Sequence, residues 1–182
     1  MIIEDKTSAI VVADSTWDGV RLTTMHIVMP RIILAELNTH RRFSRNSASS
    51  RAIPTKKQVA QVRESPFVPT RWPRNQAGMV PFEFFEEDTW HYEAQWLKAA
   101  KQAADVAEEM ANDGVHKAIA SRLLEPFLWH SVIVSSTEWE NFFQQRDHPD
   151  AQWEMQTLAR AMRKALDEST PADWHYHLPF RE

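Results

Sequence analysis

Residues 38–51 read NTHRRFSRNSASSR, with four arginines, five hydroxyl side chains, two asparagines and one histidine. A run this polar cannot supply a hydrophobic core. Arginine offers a rigid fork of donors that suits phosphate and planar polar edges, and interleaved serines add hydroxyl donors. Composition leaves three readings open: a solvated basic loop, an RNA-contacting loop, or an ordered anion site.

The rest of the chain narrows the choice. It has 182 residues, enough for one domain with a real core, and 43 % of them are hydrophobic, so it should fold. Eight tryptophans and nine phenylalanines favour a large aromatic core or apolar clefts. The formal net charge of −4 weighs against a nucleic-acid binder. The absence of cysteine excludes disulfides, thiolate zinc sites and a cysteine nucleophile, and fits a reducing cytoplasm. No apolar run approaches the roughly 20 residues that span a bilayer, and MIIEDKTSAI lacks the features of a signal peptide. The expectation is a soluble intracellular protein without membrane contact. The only glycines, Gly19, Gly78 and Gly114, are too scattered for a phosphate loop or a dinucleotide fingerprint. A phosphate would have to be held by side chains and helix ends.

Hydrophobic periodicity outlines the elements around the polar stretch. Residues 8–16 and 20–29 predict strands. Pro30 suits the first turn of a helix, and Ile33, Leu34 and Leu37 have helical spacing, so the stretch begins where a helix ends. Residues 55–64 predict a short helix, and Pro66, Pro69, Pro73 and Pro81 make 65–82 an extended loop. The strongest helix covers 86–114, with Trp90, Ala94, Leu97, Ala104 and Ala107 as its buried stripe. Residues 115–126 predict one helix ending before Pro126, and 127–136 predict a strand in which His130 is a satisfied core histidine. Thr137 and Glu140 have capping-box spacing, and Pro149 suits the first turn of the last helix, 150–166. Residues 166–182 read as an irregular tail, where His175 and His177 lack the carboxylates of a metal site. No repeat or linker divides residues 1–182, which predict a single α+β domain.

The polar stretch also carries a pattern. THRRFSRNSASSR resembles the signature of the flavin-dependent thymidylate synthases, Arg-His-Arg-x-x-Ser-x-Asn, a short run containing Ser, then Arg. His40, Arg41, Ser44, Asn46, Ser49 and Arg51 fall in register. NFFQQRDHPDAQWEMQTLA is similar to that family's later segment with Asn, an aromatic, Arg and Ala-Gln-x-Glu. SRLLEP, 121–126, is similar to its Ala-Arg-x-x-Leu-Pro segment. The resemblance covers about residues 20–165 and keeps the order of all three blocks.

The resemblance implies a small, mostly antiparallel sheet packed against several helices. It implies reductive methylation of dUMP to dTMP, with FAD as cofactor and with methylenetetrahydrofolate and NADPH as co-substrates. Arg146 matches the catalytic arginine on the uracil edge, and Thr39, His40, Arg41 and Asn141 match the flavin side. Glu36, Ser47, Ser49, Ser50, Arg51 and Arg122 match nucleotide-binding positions, with Ser49, Ser50, Arg51 and Arg122 around the phosphate. It further implies a homotetramer with sites between subunits, in a bacterial cytoplasm and encoded by the cell or by a virus. No metal is implied.

The chain departs from the pattern in places. Thr39 stands where the motif has its first arginine, Ser47 replaces an acidic residue and Glu36 replaces a glutamine. SSTEWEN lacks the family's Asn-x-Arg, and an Ala-Arg-x-Ser-Tyr-like segment has no counterpart, as in a truncated or split member. Two alternatives follow. One is a homologue that keeps the nucleotide site but hydroxymethylates dUMP or is inactive. The other is a nucleic-acid-binding module built on the arginine stretch.

Overall fold

A computed structural model describes residues 5–49, 51–78 and 83–173. The chain forms two compact units: Met1–Asp5, Pro30–Ile32 and Ala48–His130 make one, and Lys6–Met29, Ile33–Ser47 and Ser131–Glu182 make the other. Each unit draws on several separate stretches, so no linker marks a boundary in the sequence. The strands are β1 (Ser8–Trp17), β2 (Val20–Pro30), β3 (Ser44–Ser47), β4 (Trp129–Ser136) and β5 (Ala172–Asp173). The helices are α1 (Leu34–Leu37), α2 (Thr55–Glu64), α3 (Trp90–Asn112), α4 (Lys117–Ala120), α5 (Glu140–Arg146) and α6 (Trp153–Asp167). The α+β class is as expected.

The strands form one sheet in the order β3-β4-β2-β1-β5. β1–β2 and β3–β4 pair antiparallel, and the two-residue β5 runs parallel to β1 through Ser15 and Thr16. Asp18 and Gly19 join β1 to β2 with φ of 50° and 74°. Two successive positive φ angles make the turn whose twist matches a tight hairpin, and Asp-Gly is a preferred pair for it.

β2 turns Met25, Ile27 and Met29 inward, and β4 adds Val132 and Val134. Against them lie Phe142 and Phe143 of α5 and Met155, Leu158, Ala159 and Met162 of α6. The spacing of the α6 residues places them on one helical face.

A register shift between Val11 and Ala13 sets one polar anchor of this unit. Before it, Ala9 and Val11 face the core. The extra residue changes which positions face inward, so Asp14 now lies opposite the buried Thr23. The Asp14 carboxylate accepts from Arg21 Nε at 2.9 Å and Nη2 at 2.6 Å, from Thr23 Oγ1 at 2.9 Å and from Ser169 Oγ at 2.6 Å. Arg21 Nη2 also donates to the carbonyls of Leu166 and Ser169 at 3.1 and 3.0 Å, which closes the C-terminal end of α6. Burial alone would raise the Asp14 pKa. The hydrogen bonds from Arg21, Ser169 and Thr23 and the Arg21 charge outweigh it and hold the carboxyl below its ordinary 3.8.

The other unit is built from alanines. Ala100, Ala104 and Ala107 of α3 are buried against Val59 and Val62 of α2 and against Leu124, Phe127 and Leu128. The expected stripe is displaced at its start: Trp90 is 69 % exposed and Ala94 is exposed. Tyr92 instead meets Phe85 and Trp72 at 5.0 and 5.7 Å, and Trp96 Nε1 donates to the Phe67 carbonyl at 2.8 Å. The inward face therefore runs through Tyr92 and Trp96.

Other expectations shift at element ends. Residues 115–126 form one turn, α4, and then a 3-10 helix, Ser121–Phe127, that includes Pro126. Its buried residues, Ser121, Leu124 and Phe127, recur every third position, which is the 3-10 period. The capping box at Thr137 does not form: Ser136 Oγ accepts the Glu138 N–H at 3.1 Å, and α5 starts at Glu140 without a side-chain cap. α6 begins at Trp153, leaving Pro149 outside it. Residues 172–173 of the expected tail form β5, while His175 and His177 lie outside the described residues.

The anchor gives a stability prediction. The folded-state pKa of Asp14 lies below its unfolded value, so its contribution is present above about pH 4 and is lost as pH falls through the folded pKa. Asp14→Asn should destabilise the protein by about 2 kcal/mol at neutral pH. The stability gap from wild type, read by urea unfolding, should close on acidification. A gap that does not change with pH would remove the charge from the explanation.

Candidate functional site

Phe43 anchors the polar stretch to the core. Phe43 is buried between the rings of Trp139 and Phe142, with centroids 4.9 and 5.0 Å away. The next residues form β3, an edge strand in register with β4 from Ser44↔Ser135 to Ser47↔Val132. Ser-Arg-Asn-Ser has little strand propensity, so pairing with β4 is what makes it a strand. Arg45 Nη1 donates to the carbonyls of Leu37 and His40 at 2.9 and 2.8 Å, closing the end of α1. That serves the local fold and spends part of this guanidinium.

His40, Arg146 and Glu36 meet. Glu36 lies on α1, His40 follows that helix, and Arg146 ends α5. Arg146 Nε donates to His40 Nε2 at 2.8 Å, and Arg146 Nη1 donates to Glu36 Oε1. A guanidinium only donates, so His40 Nε2 must be an acceptor and the ring carries its proton on Nδ1. His40 is 7 % exposed and packs edge-on against Phe142 at 4.9 Å. Burial, then the charges of Arg146 and Arg45, push its pKa down to about 4. The ring is neutral at physiological pH, as the hydrogen bond requires. Arg146 is half-buried, and its Nη2 has no protein partner among the described residues. The result is a guanidinium fixed on two sides, with donor capacity left for a planar polar edge or a developing anion.

The remaining candidates are more open. Arg41, Ser47 and Asn141 are exposed; Asn141 Oδ1 accepts from Gln145 Nε2 at 3.2 Å, which leaves its amide hydrogens available. Thr39 is exposed and donates to the Glu36 carbonyl at 2.7 Å, so its hydroxyl serves the helix end. Ser49, Arg51 and Arg122 belong to the other unit and are exposed; Ser50 lies outside the described residues. For a flavin, the fit rests on Arg41 and Asn141, whose N–H groups suit a pyrophosphate and a heterocycle edge. His40 does not fit a direct contact through Nε2, which Arg146 occupies.

Arg122 Nη1 donates to Glu125 Oε1 at 2.8 Å, and the same oxygen accepts from Arg31 Nη2 at 2.9 Å. Arg31 Nη1 lies 3.1 Å from His130 Nδ1. His130 is therefore only half satisfied, because its buried Nε2 has no partner among the described residues. Sequence reading passed over Glu125. Its signal was a lone carboxylate inside the apolar run RLLEPF.

The His40 arrangement has a pH consequence. Between about pH 6.5 and 4 the unfolded chain binds a proton on His40 that the folded chain does not, so stability falls as pH is lowered through that window. Urea unfolding at about pH 7 and about pH 5 should show a larger loss for wild type than for His40→Gln. Equal losses would mean that His40 is not a buried neutral acceptor.

A search of curated protein sequences returns no match. Among solved structures, the chain is similar to a UMP/dUMP methylase, PolB, from Streptomyces cacaoi bound with 5-Br UMP. The TM-score is 0.73 at 16 % identity, covering 91 % of this chain and 90 % of that one. The likeness establishes a shared fold, with its sheet and surrounding helices. The family model described as "Thymidylate synthase complementing protein" matches residues 16–172, taking in all three sequence blocks. The chain belongs to this Thy1 family.

Proposed function

We propose that the chain is an FAD-dependent thymidylate synthase that converts dUMP to dTMP, with methylenetetrahydrofolate as carbon donor and NADPH as reductant. The observation that carries the reading is the Arg146 guanidinium, held by Glu36 and His40 with Nη2 left to donate. The family match supports the thymidylate synthase class, and the similar fold of a UMP/dUMP methylase supports a uridine nucleotide as substrate.

In this reading Ser49, Ser50, Arg51 and Arg122 bind the nucleotide phosphate, and Glu36 and Ser47 line the nucleotide. Arg146 contacts the uracil edge and offsets negative charge as N3 ionises. Its position is set before substrate arrives, so little reorganisation accompanies the charge change. His40 acts through Arg146 rather than on the flavin, while Thr39, Arg41 and Asn141 hold the cofactor. A bound FAD would supply the hydride that completes the methyl group. The working form is a homotetramer in the cytoplasm.

A second reading keeps the nucleotide site and changes the one-carbon chemistry to hydroxymethylation. Thr39 and Glu36 favour it, because each replaces a residue of the flavin or nucleotide surroundings with one of different charge or reach.

The visible spectrum of added FAD should shift on binding the protein and shift again with dUMP. A spectrum identical to free FAD, with all flavin lost on gel filtration, would reject the cofactor. Mass analysis of the product separates a methyl from a hydroxymethyl group. Arg146→Ala should lower turnover by about a hundredfold or more while the fold persists, and Arg51→Ala should weaken dUMP binding about tenfold. Full turnover without Arg146 would remove it from the chemistry.

A further inference from the structure

Behind Arg122 lies a cluster, Arg31, Glu125 and His130, to which no task has been assigned. Arg31 is fixed by its backbone, whose N–H donates to the Leu128 carbonyl at 2.9 Å. Its side chain is only 13 % exposed and spends Nη1 on His130 and Nη2 on Glu125. Because arginine cannot accept, His130 Nδ1 must, which requires a neutral ring. Burial and the Arg31 charge keep it so, pushing its pKa down to about 4. With His130 neutral, two guanidiniums face one carboxylate, leaving one positive charge in excess.

Arg122 differs from Arg31. Its side chain is 56 % exposed, and its one hydrogen bond among the described residues is from Nη1 to Glu125 Oε1. The Nε and Nη2 hydrogens lie along the other edge of the guanidinium, the fork that meets two oxygens of a phosphate side by side. An exposed arginine without a fixed neighbour would sample many rotamers. Here the neighbour is fixed, because Glu125 is held from behind by Arg31.

We propose that Glu125, backed by Arg31 and His130, is a positioning residue that aims the Nε/Nη2 edge of Arg122 at the nucleotide phosphate. This rests on the reading of Arg122 as a phosphate-binding residue. Glu125 stands where the similar Ala-Arg-x-x-Leu-Pro segment has leucine. A leucine could not accept from either guanidinium.

The test is the dissociation constant of the full chain for dUMP and for deoxyuridine, measured by calorimetry on wild type, Glu125→Gln, Arg122→Ala and the double variant. Glu125→Gln should weaken dUMP about tenfold, the loss expected for a misdirected charge-assisted contact, and leave deoxyuridine unchanged. In the Arg122→Ala background the same change should have no further effect on dUMP. Equal weakening in both backgrounds, weakening of deoxyuridine as well, or no effect of Glu125→Gln while Arg122→Ala weakens dUMP would each overturn the positioning role and leave the phosphate reading standing. Unchanged dUMP affinity in Arg122→Ala would reject the phosphate reading, and the positioning role with it. Thermal unfolding controls for folding. If Glu125→Gln does not fold, Glu125→Asp keeps the charge, shortens the reach and should give the same pattern.

Discussion

The hydrogen bond from Arg146 to His40 works only while the imidazole is neutral, and much of this unit serves that condition. Phe43 and Phe142 cover the ring and Trp139 backs Phe43, so water is kept from the nitrogen that would otherwise take a proton. The charges of Arg146 and Arg45 make protonation less favourable still. Among the described residues, Glu36 supplies the negative charge paired with Arg146. A guanidinium between a neutral ring and a carboxylate is held in direction without losing its whole capacity to donate.

Other arginines of this protein are also held by defined acceptors. Arg21 closes on Asp14 and two carbonyls, Arg45 on two carbonyls, and Arg31 on Glu125 and His130. Each has an acceptor set by an element of its own unit. By contrast, Arg42 and Glu138 are 72 % and 59 % exposed at 3.4 Å, and such a pair is worth little. Partial burial and a defined acceptor, rather than the number of arginines, separate the organised positions from the solvated ones.

The sequence made much of this legible. The family signature, the α+β class and most element positions could be read from it, because periodicity and motif spacing are local properties. The losses have specific causes. β3 was invisible because Ser44–Ser47 owes its extended form to β4, far along the chain. The Asp14 anchor depended on a one-residue shift in β1. The stripe of α3 was misplaced at Trp90 because Trp72 and Phe85 choose which side of the first turn is covered. The contact of Glu125 with Arg31 was out of reach because the two lie 94 residues apart in sequence.

By itself the sequence determined that this chain carries the three blocks of the Thy1 family in order, without cysteine and without a glycine phosphate loop. It also determined which stretches could be helix or strand, since those depend on neighbours a few residues apart. Only the tertiary structure decided that His40 serves Arg146, that Arg45 closes a helix and that one carboxylate oxygen joins two arginines. Those choices depend on which acceptor stands within about 3 Å of a donor. Distance between residues remote in sequence exists only once the chain has folded.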